Sequence, residues 1–508
     1  MFPPRLSALL LAPSLAAASS ILLSGGTIVA FNHKTEALEV IRDGSLLITD
    51  DRIAGIFRNN PTRIPGGTET VDVTGKIITP GFIDTHKHGW QTAFKTLGSN
   101  TSLAEYFNRY GEFGAAKLNY TAEDVYIGQI TGIYEALHGG VTTILDHAHH
   151  TWSNATSEAG LRASIDSGAR IFWAYAFHQI PEKNYEIPEQ LAFYRELALR
   201  RPFEGSPTEM GVAYDTFDPA NATEVNAIIS LALETNASVI TTHAGGRSNS
   251  PEIFAAFGIL NISIPVVFSH ASSLTDEGAA LLREHDQYIS ITPESESTNG
   301  YARPVTHRTQ DQAALGIDTH FTFSSDILTQ ARLWLQSVRR LTTSAVLETR
   351  KVPVNSPQSV VQAFLLATRH GGLALRRDDL GVISVGAKAD IVVWNGNSPA
   401  LLGWNDPVAA VLLHASVGDI EHVIVDGKWK KKDFKLAVDD YPEIVKRFLA
   451  SAARIQGALI ADTASKALPA PGTPSFQGGL PYGVANTSDT LRGPGNGYGE
   501  LFLEVPRT

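Results

Sequence analysis

Residues 79–91 have the sequence TPGFIDTHKHGWQ, in which a mostly apolar run ends in a His-x-His pair. This composition predicts a buried strand that carries polar residues at its carboxyl end. Because successive side chains of a strand point to opposite faces, His86 and His88 project to the same side and can bind one metal ion. Lys87 then points away from that ion, which predicts a structural role for it.

Similar apolar segments that end in polar residues recur roughly every 30 to 40 residues along the chain. The stretches between them, such as 122–138 and 275–285, have helical apolar spacing, with Thr121 and Thr275 as N-caps. This alternation predicts the α/β class, with a (β/α)8 TIM-like barrel over residues 76–379. The eight predicted strands are Ile77–His86, Val141–Asp146, Arg170–Ala176, Met210–Tyr214, Ser238–His243, Pro265–His270, Tyr288–Thr292 and His320–Asp326.

Short β-type runs separated by turns occupy residues 21–75 and return in residues 380–435. Their matching character predicts one small β-sandwich domain built from both chain ends. Residues 436–508 are expected to hold a C-terminal helix, from Tyr441 to Ala458, and then a tail rich in Pro and Gly.

The composition limits the class of protein and its partners. Hydrophobic residues make up 43% and charged residues 18%, as in globular proteins, and the net charge of −11 argues against binding nucleic acid or anionic membranes. After the N-terminus no run of about 20 apolar residues predicts a membrane span. We therefore expect a small-molecule partner, and the sequence leaves a homo-oligomer open. Since there is no cysteine, any metal site must be built from His and carboxylate side chains.

Residues 1–20 have the pattern of a secretory signal peptide, with Arg5, an apolar run to Ala18, and small residues for cleavage. The alternative is an apolar N-terminus on a cytosolic protein, which Pro13 within the run keeps open. The glycosylation sequons favour a secreted, extracellular glycoprotein. They number seven, at Asn100, Asn119, Asn154, Asn221, Asn236, Asn261 and Asn486.

In a barrel of this kind the reactive groups lie at the carboxyl ends of the strands. His243 from strand five and Asp326 from strand eight would complete a site of three imidazoles and one carboxylate with His86 and His88. That ligand set suits one divalent ion, Zn²⁺ or Fe²⁺, which lowers the pKa of a bound water. The candidate residues at the strand ends are His86, His88, His147, His178, His243, His270 and Asp326.

A set of ordered motifs resembles the amidohydrolase superfamily, and within it the branch of cytosine deaminases and chlorohydrolases. The set begins with TPGFIDTHKHGWQ and extends over roughly residues 21–430. The further motifs are GGVTTILD (139–146), TTHAGG (241–246), FSHASSLTDEG (268–278), FSSDI (323–327), LGVISVGAKADIVVWN (380–395) and HVIVDGK (422–428).

The resemblance implies a role for each matching residue. His86, His88 and His243 would be metal ligands, and Asp326 would bind the metal or its water and transfer the proton. His270 would orient or polarise the substrate at the metal without ligating it.

Two departures from the family pattern change these expectations. Binuclear branches carry a carboxylated Lys at the end of strand four, whereas residues 211–216 read GVAYDT, which favours a mononuclear site. Similar deaminases carry a Glu three residues after the strand-five His, where this chain has Gly246. Glu294 or Glu296, near the end of strand seven, could replace that Glu as general acid if burial raises its pKa, and Glu294 is favoured. Asp326 alone is the other alternative.

Other residues near the strand ends have less specific roles. His147, His149 and His150 lack a matching carboxylate, which favours supporting roles around the site over metal binding. The candidates for binding substrate are Gln91, Trp90 and, on weaker grounds, His178.

The leading interpretation is hydrolysis of a non-peptide carbon–nitrogen bond in a small cyclic amide, amidine or aminoheterocycle. Two alternatives remain open at this point. One is a metal-dependent lyase, such as a decarboxylase or dehydratase acting on a secondary metabolite, because the same ligands can polarise a carbonyl. The other is a non-catalytic binding protein on the same fold.

Overall fold

The computed structural model describes residues 20–245, 248–301, 305–475 and 480–485. The predicted signal peptide, apart from Ser20, and the sequon at Asn486 lie outside these residues. The strands are β1 (Ser20–Asn32), β2 (Ala37–Thr49), β3 (Arg52–Phe57), β4 (Glu69–Asp72), β5 (Ile77–Pro80), β6 (Phe82–Lys87), β7 (Val141–Ala148), β8 (Arg170–Phe177), β9 (Glu209–Tyr214), β10 (Ile240–His243), β11 (Val266–Ser269), β12 (Tyr288–Ile291), β13 (Ala313–Leu315), β14 (Ile391–Trp394), β15 (Ile420–Val425), β16 (Lys428–Lys432) and β17 (Lys435–Leu436).

The helices fill the intervals between strands and end with one long C-terminal segment. The predicted N-caps are confirmed, because Thr121 accepts a hydrogen bond from Asp124 N and Thr275 accepts one from Gly278 N. Nowhere in the described ranges is a helix both long and apolar enough to span a bilayer. The helices are α1 (Leu103–Arg109), α2 (Ala122–His138), α3 (Asn154–Ser167), α4 (Ile187–Arg200), α5 (Ala222–Glu234), α6 (Pro251–Ala256), α7 (Asp276–Glu284), α8 (Pro293–Thr298), α9 (Ile327–Glu348), α10 (Val360–Ala367), α11 (Arg369–Ala374), α12 (Pro407–Ala409) and α13 (Tyr441–Ala461).

Strands β6 to β13 form a parallel eight-stranded sheet in sequential order, which confirms the predicted barrel. The barrel closes between its first and last strands through backbone bonds. The amides of Ile317 and Asp318 both donate to the carbonyl of His86, at 3.0 and 2.7 Å. The residues that follow β13 are therefore held directly against the His-x-His pair.

Two of the predicted strands need correction. The predicted strand 77–86 is two strands that separate at Gly81, where an added Cβ would lie 2.1 Å from Thr142 Oγ1. The predicted eighth strand, 320–326, was wrong, because the strand is Ala313–Leu315. The short Ala-Ala-Leu run is fully buried beside β12, whereas 320–326 forms the connection into α9. Residues 320–326 were predicted as a strand because apolar and polar residues alternate there.

A second sheet combines both ends of the chain, as the sequence predicted. Its order is β17-β16-β15-β14-β5-β1-β2-β3, with β14 antiparallel to β5 and β4 paired with β1. The buried Arg170 at the start of β8 ties this sheet to the barrel. Its guanidinium donates to Asp390 at 2.8 and 3.1 Å and to Asp426 at 2.7 Å.

Helix α13 packs against α2 and against the segment that follows β6. Its apolar side chains join a cluster with the aromatic residues that follow β6. Arg109 in α1 donates to the carbonyl of Leu459 at 3.0 Å, which ties the segment after β6 to α13. The segment after β6 is therefore held in place by a helix that lies far away in sequence.

Candidate active site

The buried imidazoles of His86 and His88, at the end of β6, face one point at the mouth of the barrel. His88 Nδ1 lies 2.9 Å from the carbonyl of His147, and a carbonyl can only accept, so Nδ1 carries a proton and Nε2 is the nitrogen left to bind a cation. His86 Nδ1 lies 2.8 Å from Ser269 Oγ, while its buried Nε2 has no hydrogen-bond partner among the described residues. An unsatisfied buried nitrogen of this kind is costly unless something binds it.

His243 at the end of β10 and His270 after β11 complete the ring of imidazoles. The Nε2 atoms of His243 and His88 lie 3.3 Å apart, so both rings are aimed at the same place. His270 Nδ1 lies 2.8 Å from Thr292 Oγ1, and its ring is stacked with that of His243 at a centroid distance of 5.6 Å. His270 has a φ of 68°, a left-handed conformation that turns its side chain toward the site.

The carboxylate at this point belongs to Asp318, three residues beyond β13. Its Oδ1 lies 3.1 Å from His88 Nε2 and 3.6 Å from His86 Nε2. Its Oδ2 accepts hydrogen bonds from Ser295 and from the Tyr301 hydroxyl, the latter at 3.3 Å. Asp318 is thus buried, fixed in orientation and directed at the two imidazoles.

The prediction that Asp326 is the carboxylate ligand is wrong, because Asp326 does not face these imidazoles. It is the N-cap of α9, where its Oδ1 accepts from Thr329 N at 2.7 Å. Its Oδ2 accepts from Thr329 Oγ1 at 2.9 Å and Ser324 Oγ at 2.7 Å. The error follows from the misplaced eighth strand, because moving the strand to 313–315 brings Asp318 to the barrel mouth.

The protonation states of His86, His270 and Asp318 fit a divalent cation. Burial lowers the pKa of His86 far below its usual value and that of His270 to about 3, which keeps both rings neutral. Burial opposes ionisation of Asp318, but the nearby imidazoles of His86 and His88 hold its pKa well below the usual range. Neutral imidazoles and an ionised carboxylate are what a metal ion needs, and their ligand atoms cluster within 4.8 Å. These clusters are His86, His88 and Asp318, and His86, His243 and His270.

A second carboxylate, Asp215, lies at the end of β9 behind His243. Its Oδ2 is 2.8 Å from His243 Nδ1 and 3.3 Å from His147 Nε2. Burial lowers the pKa of His243, but Asp215 outweighs it and raises the value to about 9. Asp215 was not predicted as a site residue, and the signal for it in the sequence is an Asp at the end of a strand.

A cavity of about 240 Å³ opens above the imidazoles and Asp318. Its outer wall consists of apolar and aromatic side chains from α1 and the segment after it, including Leu103, Tyr106, Phe107 and Phe113. A cavity of this size has room for a small ring system, and its wall suits the faces of a planar ring.

Glu112 and His149 add polar groups to the cavity wall. Trp90 Nε1 donates to His149 Nδ1 at 3.0 Å, so the proton of the neutral His149 ring is on Nε2. That Nε2 lies 3.7 Å from Glu112 Oε2 and 3.4 Å from the Tyr106 hydroxyl. Burial raises the pKa of Glu112. Glu112 could not be predicted from the sequence because it lies in an irregular segment, away from every strand end.

The proposed general acid Glu294 does not line this cavity. It is bonded to Gln330 Nε2 at 2.9 Å, on the first turn of α8. Glu296 is the buried carboxylate nearer the site, with Oε1 3.9 Å from His270 Nδ1 and 2.9 Å from Thr292 N. Burial raises the pKa of Glu296 to about 7.

The three predicted substrate-binding residues contact other side chains near the site. Gln91 donates to the Tyr106 hydroxyl at 3.1 Å, and Trp90 orients His149. His178 contacts Thr151 at 3.2 Å. Within the described part of the chain, none of the three lines the cavity.

The remaining predicted positions are accounted for as follows. Lys87 points away from the imidazoles and donates to Ser325 Oγ at 2.6 Å, as a structural residue would. The His149 ring stacks on His88 at 3.9 Å, and His147 lies 4.2 Å from His243, both as supporting rings. Gly246 lies outside the described residues.

Comparison with known proteins gives a family match. The model of the amidohydrolase family matches residues 77–430, which span the barrel and the returning strands of the second sheet. The chain is 27% identical over 436 residues to a 5′-deoxyadenosine deaminase from Methanothermobacter thermautotrophicus, covering 82% of this chain and 96% of that one.

Solved structures share the fold at lower sequence identity. An adenosine deaminase from Xanthomonas campestris with bound zinc has a TM-score of 0.73 at 18% identity, over 86% of this chain and 99% of that one. An atrazine chlorohydrolase from Arthrobacter aurescens TC1 complexed with zinc has a TM-score of 0.69 at 17% identity, over 85% and 100% of the two chains.

Proposed function

The chain belongs to the amidohydrolase family and is a metal-dependent hydrolase of carbon–nitrogen bonds, and we propose that it deaminates a nucleoside-like aminoheterocycle. The relatives named deaminases support this substrate class, as does the cavity. The observation that carries the proposal is that one small cavity has imidazoles and a carboxylate at its floor and aromatic side chains in its wall. The floor suits hydrolysis and the wall suits a flat ring.

We propose that His86, His88, His243 and Asp318 hold one divalent ion, with zinc the first choice and iron the alternative. When bound, such an ion supplies Lewis-acid chemistry and lowers the pKa of water. The three imidazoles and one carboxylate match the donor types that zinc binds. Metal analysis of the purified protein tests this, with one ion per chain expected and absence of metal contradicting it.

The protein side chains then manage protons and orientation. In the overall reaction water adds to the ring carbon, the exocyclic C–N bond breaks, and the products are the ring carbonyl and ammonia. We propose that Asp318 accepts the proton of water and returns it to the leaving nitrogen, because it is the ionised carboxylate at the floor. Neutral His270 is placed to polarise the substrate.

The polar groups on the cavity wall give the substrate its orientation. Glu112 lines the cavity, and its carboxyl oxygens can accept hydrogen bonds from the N–H or O–H groups of a ring and its substituents. The Nε2–H of His149 offers a donor beside Glu112. Burial of these groups makes each unmatched contact costly, which favours a substrate with complementary polar atoms.

Ammonia release from a panel of compounds tests the proposal. The panel contains adenosine, 5′-deoxyadenosine, cytosine, guanine, an aminotriazine and a simple lactam. We expect ammonia from an aminopurine compound and loss of that activity in a His86→Ala variant. Lack of ammonia from every aminoheterocycle, with the metal bound, would overturn the assignment.

A second candidate is hydrolysis of a cyclic amide. It is favoured by Gly246, which stands where similar deaminases carry a Glu. Ring opening of the lactam without ammonia would select this function. A product that contains no oxygen from labelled water would instead select the lyase alternative.

We further propose that the protein is secreted and glycosylated. Residues 1–20 support secretion, and the sequon residues Asn100, Asn154, Asn236 and Asn261 are exposed, as glycan attachment requires. Expression in a glycosylating host tests this. We expect the protein in the medium, with a mass that falls after treatment with a glycosidase, and retention inside the cell would contradict the proposal.

A further inference from the structure

The four imidazoles at the cavity floor are each held through Nδ1, but only His243 is held by a carboxylate. The Nδ1 atoms of His86 and His270 face hydroxyls, and that of His88 faces a carbonyl. His243 is also the most exposed, with 27% of its side chain accessible, against 8% or less for the other three. Packing alone therefore fixes His243 least.

The carboxylate of Asp215 contacts both the backbone N–H and the ring of His243. Its Oδ1 accepts from His243 N at 2.7 Å and from Thr242 Oγ1 at 3.1 Å, while its Oδ2 faces His243 Nδ1 at 2.8 Å. Since a carboxylate only accepts, Nδ1 keeps its proton, and Nε2, which faces the cavity floor, is the nitrogen that can bind a cation. Both carboxylate oxygens are used by donors.

Asp215 is itself held in register with His243. The side-chain amide of Asn249 donates to the carbonyl of Asp215 at 3.0 Å and to that of His243 at 2.9 Å. The Oδ1 atom of Asn249 accepts a hydrogen bond from Phe217 N at 2.9 Å. The buried Asn249 thus joins the loop after β9 to the loop after β10, so the distance between carboxylate and imidazole is set by the backbone.

We propose that Asp215 is a positioning residue that acts through His243. It fixes the ring orientation and the tautomer of His243, and its negative charge makes Nε2 a stronger donor to a cation. This inference rests on the proposed metal-dependent function. It adds a carboxylate that does not touch the ion but determines how tightly the ion is held.

A different use of the same residues would be a second metal site. Ligand atoms of His147, Asp215 and His243 lie within 4.8 Å of one another. We favour the positioning role because the 2.8 Å contact between Asp215 Oδ2 and His243 Nδ1 already occupies both atoms with a proton. The number of bound ions separates the two.

The test compares Asp215→Asn with Asp215→Ala in the full-length protein. Asn keeps the shape of the side chain but replaces one acceptor oxygen with a donor, and in either orientation of the amide that donor faces an N–H of His243. If the role is positioning, Asp215→Asn weakens zinc binding by about 10- to 100-fold, at least as much as Asp215→Ala. The matched control is Asp218→Asn, which changes an exposed carboxylate in the same loop that accepts a hydrogen bond from Ala220 N.

Zinc affinity is measured by competition with a chromogenic chelator, and stoichiometry by metal analysis of each purified variant. If Asp215→Ala does not fold, Asp215→Asn still carries the test because it preserves side-chain volume. Zinc binding by Asp215→Asn equal to that of the wild type would overturn the inference, as would a raised KM for substrate with unchanged zinc affinity.

The number of zinc ions on the wild type separates this inference from the proposed function. Two zinc ions on the wild type and one on Asp215→Ala would replace the positioning role by a second metal site, and leave the proposed hydrolysis standing. No zinc on the wild type would overturn both. One zinc ion on the wild type, weak binding by both Asp215 variants and normal binding by the control would support the positioning role.

Discussion

Replacing Asp318 with Asn should remove most of the affinity for zinc, whereas replacing Asp326 with Ala should only destabilise helix α9. Asp318 Oδ1 lies 3.1 Å from His88 Nε2, and the residue is buried within the cavity floor. Asp326 accepts hydrogen bonds from Thr329 and Ser324 at the start of α9. We therefore expect the Asp318 substitution to affect zinc binding and the Asp326 substitution to affect only the stability of the fold.

The magnitudes follow from the contacts. Loss of a partner that merely orients a metal ligand costs about 10- to 100-fold in affinity, so loss of the Asp318 carboxylate should cost at least about 100-fold. At a zinc concentration of about 100 times the wild-type Kd, zinc stabilises the wild type by about 2.7 kcal/mol and Asp318→Asn by about 0.4 kcal/mol. Loss of the Asp326 N-cap should cost about 1 to 2 kcal/mol whether or not zinc is present.

The assay is urea unfolding of each variant with and without zinc, which gives the zinc-dependent increase in the free energy of unfolding. Wild type and Asp326→Ala should show the same increase, with the Asp326→Ala curves shifted to lower urea. Asp318→Asn should show almost none. The reasoning is refuted if Asp326→Ala loses the zinc-dependent increase and Asp318→Asn retains it.

Three further predictions concern the rest of the molecule. Arg170→Met should lower the free energy of unfolding by about 3 to 5 kcal/mol, because it leaves Asp390 buried without its cation; a loss below about 1 kcal/mol in urea unfolding would contradict this. Burial lowers the pKa of Lys431 to about 8, against about 10.4 when unfolded, so the unfolded chain binds more protons between these values. From pH 7 to 10 the wild type should therefore gain on the order of 2 kcal/mol of stability relative to Lys431→Met, and a constant difference would count against it. Glu112→Gln should raise KM about tenfold or more with a smaller change in kcat, because a charged acceptor beside His149 is lost; steady-state kinetics that show only a kcat effect would exclude a binding role.

Much of the fold could be predicted because its signals are local. The eight barrel strands follow from repeated apolar segments, and seven of them were placed within a few residues of the observed strands. The eighth failed because β13 is only Ala313–Leu315, too short for its hydrophobicity to stand out from the segment that follows. That single displacement moved the expected carboxylate from Asp318 to Asp326.

The sequence by itself determined the part of the site that depends on one strand. His86 and His88 must share a face because side chains alternate along β6, and the ordered motifs added His243 and His270 at other strand ends. The predicted sandwich from both chain ends likewise rested on short strands with clear turns between them.

Only the tertiary structure decided which carboxylates serve the imidazoles. Asp318 is selected by the bonds that close the barrel against His86, and Asp215 by an Asn249 bridge between two loops. Glu112 reaches the cavity because α1 and its following segment fold over the barrel mouth. These contacts join residues far apart in sequence, and their distances depend on how separate elements pack, for which no local pattern of polarity carries a signal.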